Sequence, residues 1–305
     1  MDQNKTLPSE NLGLKAVIIL LFLALFWGGN AVAVKLALKD TEPFMLAGLR
    51  FALGAVIVGL WSRFIGIELK PKRDEIIYLI ILSLIFAAQI ATFNMGTKFT
   101  KAGRASLFIN THPFFVAVLA HYFIATDRLS VGKIVGLLLA FGGVLIVFRD
   151  DVGLDRTRIL GDSLVLISGG LLGILAVYTK RIVQNISAYK LLFWEMIFAL
   201  VPFFGLSLIF EAPDSHNFTS RLFISIAYQG IVVASFCFVA WTLILKRYSA
   251  SKASAFLFST PLFGVGLSKL ILDEPVTPYL IVGVILVAAG IYVVNRGFKF
   301  LNGKK

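Results

Sequence analysis

Charge is scarce in this chain. Asp, Glu, Lys and Arg together make up 15% of the 305 residues, against roughly a quarter in an ordinary soluble domain. Cysteine is nearly missing: the single Cys237 lies inside an apolar block, so no intrachain disulfide can form and no metal site is implied. No cluster of metal-ligand spacing, phosphate-binding Walker loop or nucleophile elbow stands out. These absences argue against an enzyme and leave no cofactor to expect. They also leave no nucleotide-binding domain, so drive by ATP would require a partner subunit. Low-complexity tracts and a separate soluble domain are missing too.

What the chain has instead is apolar residues, 58% of the total. They fall in blocks of about 20, the length at which a helix crosses a bilayer. We therefore expect an integral membrane protein in a lipid bilayer. A formal charge of +12 would point to nucleic acid in a soluble protein, but Lys and Arg also collect on cytoplasmic loops, and no nucleic-acid partner is expected. The first apolar run contains Trp27-Gly28-Gly29-Asn30 and ends at Lys35; it is too long for a signal-peptide core and reads as a spanning helix. Ten spans are predicted, at 16–38, 43–65, 75–97, 102–125, 129–149, 160–183, 187–210, 221–245, 250–272 and 276–296. With both termini in the cytoplasm, 18 basic residues lie on cytoplasmic segments and 8 on outer ones, as the positive-inside rule asks. Lys98, Lys101 and Arg104 run against that rule.

The stretch from Lys98 to Phe148 recurs 148 residues later without a gap. Lys98 falls on Lys246, Ser106 on Ser254, Pro113 on Pro261, Phe115 on Phe263 and Gly142 on Gly290. A period of this length marks a duplicated half rather than a solenoid repeat. The opening spans match more weakly, with Gly28 on Gly173, Lys35 on Lys180 and Arg50 opposite Glu195. Five spans is an odd number, so the second half enters the membrane from the other side, a plan common in secondary transporters. The expected fold is all-α and polytopic, ten transmembrane helices as two inverted five-helix repeats. The expected divisions are a cytoplasmic segment at 1–15, a first repeat at 16–149, a linker at 150–159, a second repeat at 160–297 and a basic cytoplasmic tail at 298–305.

WGGN in the first span, Leu49-Arg50-Phe51 in the second, the repeated proline helices, and Asp273-Glu274-Pro275 before a Gly-rich last helix together resemble the drug/metabolite transporter superfamily, its EamA-type branch most closely. The resemblance covers about residues 15–297. It implies a secondary active transporter in a bacterial inner membrane, working by alternating access on a small-molecule substrate. An amino acid or similar metabolite, exported, is the expected cargo. A drug/proton antiporter and a sugar-phosphate or nucleotide-sugar exchanger are the alternatives within the class. An intramembrane enzyme or a scaffold is the alternative outside it. Spans one, three, four, six, eight and nine are expected to line the path. Spans five and ten are expected to support it or form a homodimer. The resemblance places spans two and seven at the periphery.

A transporter needs a polar cavity near the midplane and helices that bend. Pro113 and Pro261 each remove a backbone hydrogen bond, to the carbonyls of Ile109 and Leu257. A carbonyl so freed must face protein, water or substrate. Asn110 and His112 precede the first proline, and Phe258 precedes the second. Trp27, Asn30, Gln89, Asn94, Tyr178 and Trp241 add amides and aromatic rings in neighbouring spans, a combination suited to a zwitterion with an apolar side chain. Tight packing, a neutral hydrogen-bonded histidine and interfacial aromatic belts are the structural alternatives for these residues. For coupling to a proton or counter-substrate, or for gating, the candidates are His112, His121, Glu195 and Lys269. His121 and Lys269 are repeat-equivalent and would sit at opposite mouths, or simply snorkel to the interface. Glu195 could instead be held locally by backbone or by Lys190, fixing span seven.

Overall fold

The structure is a computed structural model that describes residues 13–124, 129–149, 156–250, 253–254, 257 and 260–296. Among these the fold is helical, without strands. The helices are α1 (Leu14–Ala37), α2 (Pro43–Phe64), α3 (Arg73–Phe99), α4 (Ala102–Ile109), α5 (His112–Phe123), α6 (Val131–Arg149), α7 (Arg156–Ile182) and α8 (Ala188–Phe210). They continue with α9 (Ser220–Arg247), α10 (Thr260–Leu272) and α11 (Pro278–Arg296). Six of them, α1, α2, α3, α7, α8 and α9, are long and apolar enough to cross a membrane by length and composition. Shorter apolar stretches lie in α6, α10 and α11. The outer surface is studded with large apolar side chains, among them Phe64, Leu84, Leu138, Leu208 and Leu270. On a soluble protein such a surface would aggregate; here it is the face that meets acyl chains. The chain is an integral membrane protein. The segments 1–12, 150–155 and 297–305, expected to be terminal segments or linker, lie outside the described residues.

The expected fourth span is two helices. Pro113 has no N–H, and its ring would collide with the carbonyl of Ile109. The helix therefore ends at Ile109 and restarts at His112, with Pro113 in the first turn of α5, where a missing N–H costs nothing. Pro261 occupies the same second position in α10. A second departure lies in α9, which winds as a π-helix over Tyr228–Cys237. Ser235 Oγ donates to the carbonyl of Gly230, five residues back, at 2.7 Å. Gly54 of α2 faces Ala234 and the Gly230 carbonyl in that segment, where an added Cβ would stand 3.0 Å from Ala234.

Packing follows glycine. Gly28 of α1 lies on α10, where a Cβ would stand 2.6 Å from Phe263 Cβ and 3.0 Å from Gly264 N. Gly173 of α7 lies on α5, where a Cβ would stand 2.4 Å from Phe115 Cβ and 3.2 Å from Val116 N. Gly28 and Gly173 are equivalent in the sequence repeat, as are Phe115 and Phe263. The same correspondence governs two lysines. Lys35 Nζ donates to the carbonyl of Thr100 at 2.6 Å, and also to Thr97 and Lys98. Lys180 Nζ donates to the carbonyl of Tyr248 at 2.7 Å. Thr100 and Tyr248 are the residues that follow α3 and α9, so each lysine satisfies carbonyls at a helix C-terminus, where cations are favoured. The α6–α11 pair meets through Gly136, Ala140 and Gly143 against Gly283 and Gly290. Small residues permit that close approach, and close van der Waals packing is what holds helices together in lipid.

Ion pairs fasten the ends. Arg104 and Asp162 are both buried; Nε donates to the carboxylate at 3.0 Å, Nη2 reaches the same oxygen, and Thr100 Oγ1 donates to Asp162 at 2.6 Å. Arg104 Nη1 also donates to the carbonyl of Val147, so one guanidinium joins α4, α6 and α7. At the loop after α1, Asp40 accepts from Arg221 Nε at 2.7 Å, Arg221 Nη2 at 2.6 Å and Thr219 Oγ1 at 2.8 Å. Asn217 N donates to the Asp40 carbonyl, and Thr41 Oγ1 meets His216 Nδ1 at 3.0 Å. The Glu211 carboxylate accepts from Phe44 N and Met45 N at the start of α2. The loop between α1 and α2 is thus clamped to the loop between α8 and α9. The hydrogen bond from Arg221 holds the Asp40 carboxyl below its ordinary value. A carboxyl lowered on folding contributes stability above its unfolded pKa, about 3.9, and that contribution is lost as pH falls through the lower folded value. Asp40→Asn should therefore melt earlier than wild type in detergent at neutral pH. The gap between the two should close below about pH 4; an equal gap at pH 3 and pH 7 would refute the assignment.

Candidate functional site

A cavity of about 130 Å³ lies inside the bundle. It approaches the roughly 150 Å³ of an apolar cavity that takes up benzene, so it suits a small molecule. Its wall draws on α1 (Trp27, Asn30), α2 (Arg50, Phe51), α3 (Gln89, Phe93), α4 and α5 (Ser106, Asn110, His112), α7 (Leu175, Thr179), α8 (Leu192, Glu195), α9 (Gln229, Phe238, Trp241) and α10 (Thr260). No described residue of α6 or α11 lines it. Apolar side chains make most of the surface, with polar groups at separated points, the usual composition of a small-molecule site.

The broken helix supplies one wall, and three consecutive side chains repair the break. Asn110 Nδ2 donates to the carbonyl of Ser106 at 2.7 Å, Thr111 Oγ1 to Phe108 at 2.7 Å, and His112 Nδ1 reaches Ile109 at 3.3 Å. The last of these carbonyls is the one Pro113 leaves without an N–H. A carbonyl only accepts, so Nδ1 carries the proton of the neutral ring and Nε2 is left as an acceptor. Gln89 is engaged as well: Nε2 donates to Ser168 Oγ, which donates back to the Gln89 carbonyl, both at 2.8 Å. Trp27 and Trp241 stand edge to face, with centroids 5.6 Å apart.

Other polar atoms on the wall have no partner in the structure. Trp27 Nε1, Asn30 Oδ1, Arg50 Nε, Ser106 Oγ, Gln229 Nε2 and Thr260 Oγ1 are all buried and make no hydrogen bond. An unmade hydrogen bond on a buried group costs about 1–3 kcal/mol. Six such atoms border one cavity. Two formal charges join them. Arg50 is 2% exposed; its Nη1 donates to Gln229 Oε1 at 2.8 Å and its guanidinium lies 4.5 Å from the centroid of Phe51. Glu195 is 3% exposed and makes no hydrogen bond or ion pair among the described residues.

Several expectations change here. Trp27, Asn30, Gln89, Asn110, His112, Trp241 and Glu195 do reach the cavity. Asn94 does not: its Nδ2 donates to the carbonyl of Pro43 at 2.9 Å and pins α3 to the start of α2. Tyr178 is turned to the carbonyl of Tyr78 at 3.3 Å. Pro113 and Pro261 shape the wall without lining it. His121 accepts from Leu129 N at 3.0 Å, away from the cavity. Lys269 pairs with Asp273 at 2.5 Å, both largely exposed, in the manner of an interfacial anchor. Phe258 lies outside the described residues. Lys190 does not hold Glu195; it pairs with Glu75 at 3.1 Å. The second and seventh spans are not peripheral, for α2 and α8 bring both buried charges to the wall. Arg50, Ser106 and Thr260 were not among the expected substrate-binding residues, and they line the wall together with Gln229. Their signal was available: Arg50 and Glu195 share a repeat position, and Ser106 lies one turn before Asn110.

Fold and wall together define a polytopic membrane protein with an internal small-molecule cavity and no catalytic cluster among its described residues. Comparison with known proteins makes this specific. The profile of the EamA-like transporter family matches residues 14–149 and again 159–296. The chain belongs to that family and is a transporter, not an enzyme. It is 28% identical to an uncharacterized transporter of Bacillus subtilis, YoaV, over 91% of this chain and 96% of that one. It is 26% identical to a protein of Escherichia coli named as a probable amino-acid metabolite efflux pump, over 94% and 97% of the two chains. A solved crystal structure superposes with a TM-score of 0.73 at 16% identity, covering 92% of this chain and 98% of the other, which establishes likeness of fold.

The repair of the break can be tested directly. His112→Ala leaves the Ile109 carbonyl without its side-chain donor, so stability in detergent should fall by about 1–3 kcal/mol. A melting temperature unchanged from wild type would show that water or backbone serves that carbonyl instead.

Proposed function

We propose that this chain is a secondary active transporter that exports an amino acid or a similar small metabolite across the inner membrane, by alternating access around the internal cavity. The observation that carries the reading is the set of six unpaired buried polar atoms on one small, otherwise apolar wall. Groups of that kind are expensive inside a membrane protein unless a guest or an ion meets them. The description of the Escherichia coli relative as a probable amino-acid metabolite efflux pump supports the choice of substrate class. A sugar phosphate fits less well, because the single guanidinium on the wall shares it with the carboxylate of Glu195. A large hydrophobic drug fits less well because the cavity is small.

The architecture that accompanies this reading is two inverted repeats of five helices with both termini in the cytoplasm. Its support lies in the matched pairs: Lys35 and Lys180 bind equivalent carbonyls, Gly28 and Gly173 meet equivalent half-helices, and α5 and α10 begin one residue before equivalent prolines. In such a plan each half supplies one broken helix to the site.

Two measurements test the two parts. Protein reconstituted in liposomes should show counterflow of at least one labelled amino acid, well above protein-free vesicles; a broad panel giving no counterflow would remove the transport assignment. Cysteines placed singly at positions 98 and 246, in a Cys237→Ser background, should label from opposite sides of the membrane in cells. Labelling of both from one side would sink the inverted repeat.

A further inference from the structure

One cavity wall carries a buried guanidinium and a buried carboxyl group, and the two do not pair. Each is nearly inaccessible, Arg50 at 2% and Glu195 at 3%. Inside a membrane protein, opposite charges that face the same space ordinarily neutralise one another or meet a ligand. These form no ion pair with one another, and the described residues offer neither a second charge. The remaining polar atoms have a chemical pattern. Arg50 Nη1 donates to Gln229 Oε1 at 2.8 Å. A guanidinium has no acceptor, so this bond fixes the Gln229 amide with its oxygen toward Arg50 and its NH2 group away. That NH2 and Arg50 Nε–H are buried and unpaired. The two free donors therefore sit on side chains already locked together, an arrangement suited to the two oxygens of a carboxylate. Glu195 can only accept when ionised, and Asn30 Oδ1 is a further unpaired acceptor on the same wall. The rings of Trp27 and Trp241 line the same cavity.

Resting on the transport reading above, we propose that the cavity recognises a zwitterion by both of its poles. Arg50 and Gln229 receive an α-carboxylate, Glu195 receives the ammonium group, and the rings of Trp27 and Trp241 take an apolar side chain. The substrate class is then a free, unmodified α-amino acid with a small or medium apolar side chain. A ligand with both charges gives each buried group a partner of opposite charge in one step. A ligand with one charge leaves the other buried and unmatched, and that loss is the basis of selection.

The test uses the purified full-length wild-type protein, so no variant needs to fold for it to be read. Each standard amino acid is screened for thermal stabilisation, since a ligand bound to the native state raises apparent stability by mass action. Every amino acid that stabilises is compared with its deaminated and decarboxylated counterparts; for leucine these are 4-methylpentanoate and 3-methylbutylamine. The expected result is at least tenfold weaker binding for both counterparts. Glu195→Gln should then weaken the amino acid at least tenfold while leaving the deaminated acid unchanged or tighter. Arg50→Gln should show the reverse preference, affecting the acid and sparing the amine. If an amino acid binds and either counterpart binds equally well, the two-pole assignment fails while the transport reading stands. If no amino acid binds and none shows counterflow in liposomes, the amino-acid reading fails and the assignment with it.

Discussion

A polar group without water must find its partner inside the protein, and most of this structure can be read as the consequence. Along the long helices the backbone serves itself. Where proline breaks a helix, the side chains of Asn110, Thr111 and His112 take over. At the ends of α3 and α9, Lys35 and Lys180 serve the carbonyls that no further turn can reach. Arg104 and Asp162 satisfy each other between three helices. Such a buried pair adds little net stability over an apolar equivalent, but it fixes one geometry, since removing either partner strands the other. Set against this thorough pairing, the unpaired atoms around the cavity form an exception confined largely to one place.

Close approach of helices gives that exception its position. Gly28 on α10 and Gly173 on α5 let long helices press against the two proline half-helices with almost no side chain between. Gly264 lies so near Ser106 that any Cβ there would overlap the hydroxyl. The π-helical stretch of α9 shifts the register of its face, and Gln229, Val233 and Ala234 turn to the wall from it. Insertions of this kind inside α-helices recur at functional sites. The α6–α11 pair stands outside the cavity and closes on its own small residues, presenting Leu138, Leu145 and Ile285 outward.

The helical, membrane-spanning character was legible in the chain itself. Runs of about 20 apolar residues dictate membrane helices, and the 148-residue recurrence names the matching positions. The structure then uses those positions in matched contacts, such as Lys35 with Thr100 and Lys180 with Tyr248. The helix break before Pro113 exploits the missing N–H, but proline alone does not dictate it, for α8 runs unbroken through Pro202. Site membership was less legible. Asn94 and Tyr178 look like Asn30 and Trp241 in sequence, an amide and an aromatic ring within an apolar span, yet they serve backbone carbonyls elsewhere. Helical spacing assigns a residue to a stripe, and it does not say what the stripe faces.

Arg50 and Glu195 show where the division falls. Sequence alone determined that two charges lie within apolar spans at matching places in the repeat, because a charge inside such a run is conspicuous. Whether they would lie apart at the rim or share a wall depended on how α2 and α8 tilt against the π-helical segment of α9. Their packing includes close contacts between residues more than a hundred positions apart, as between Gly54 and Ala234. Only the tertiary structure could decide it, since packing distance between helices is a property of two surfaces together and of neither sequence segment alone.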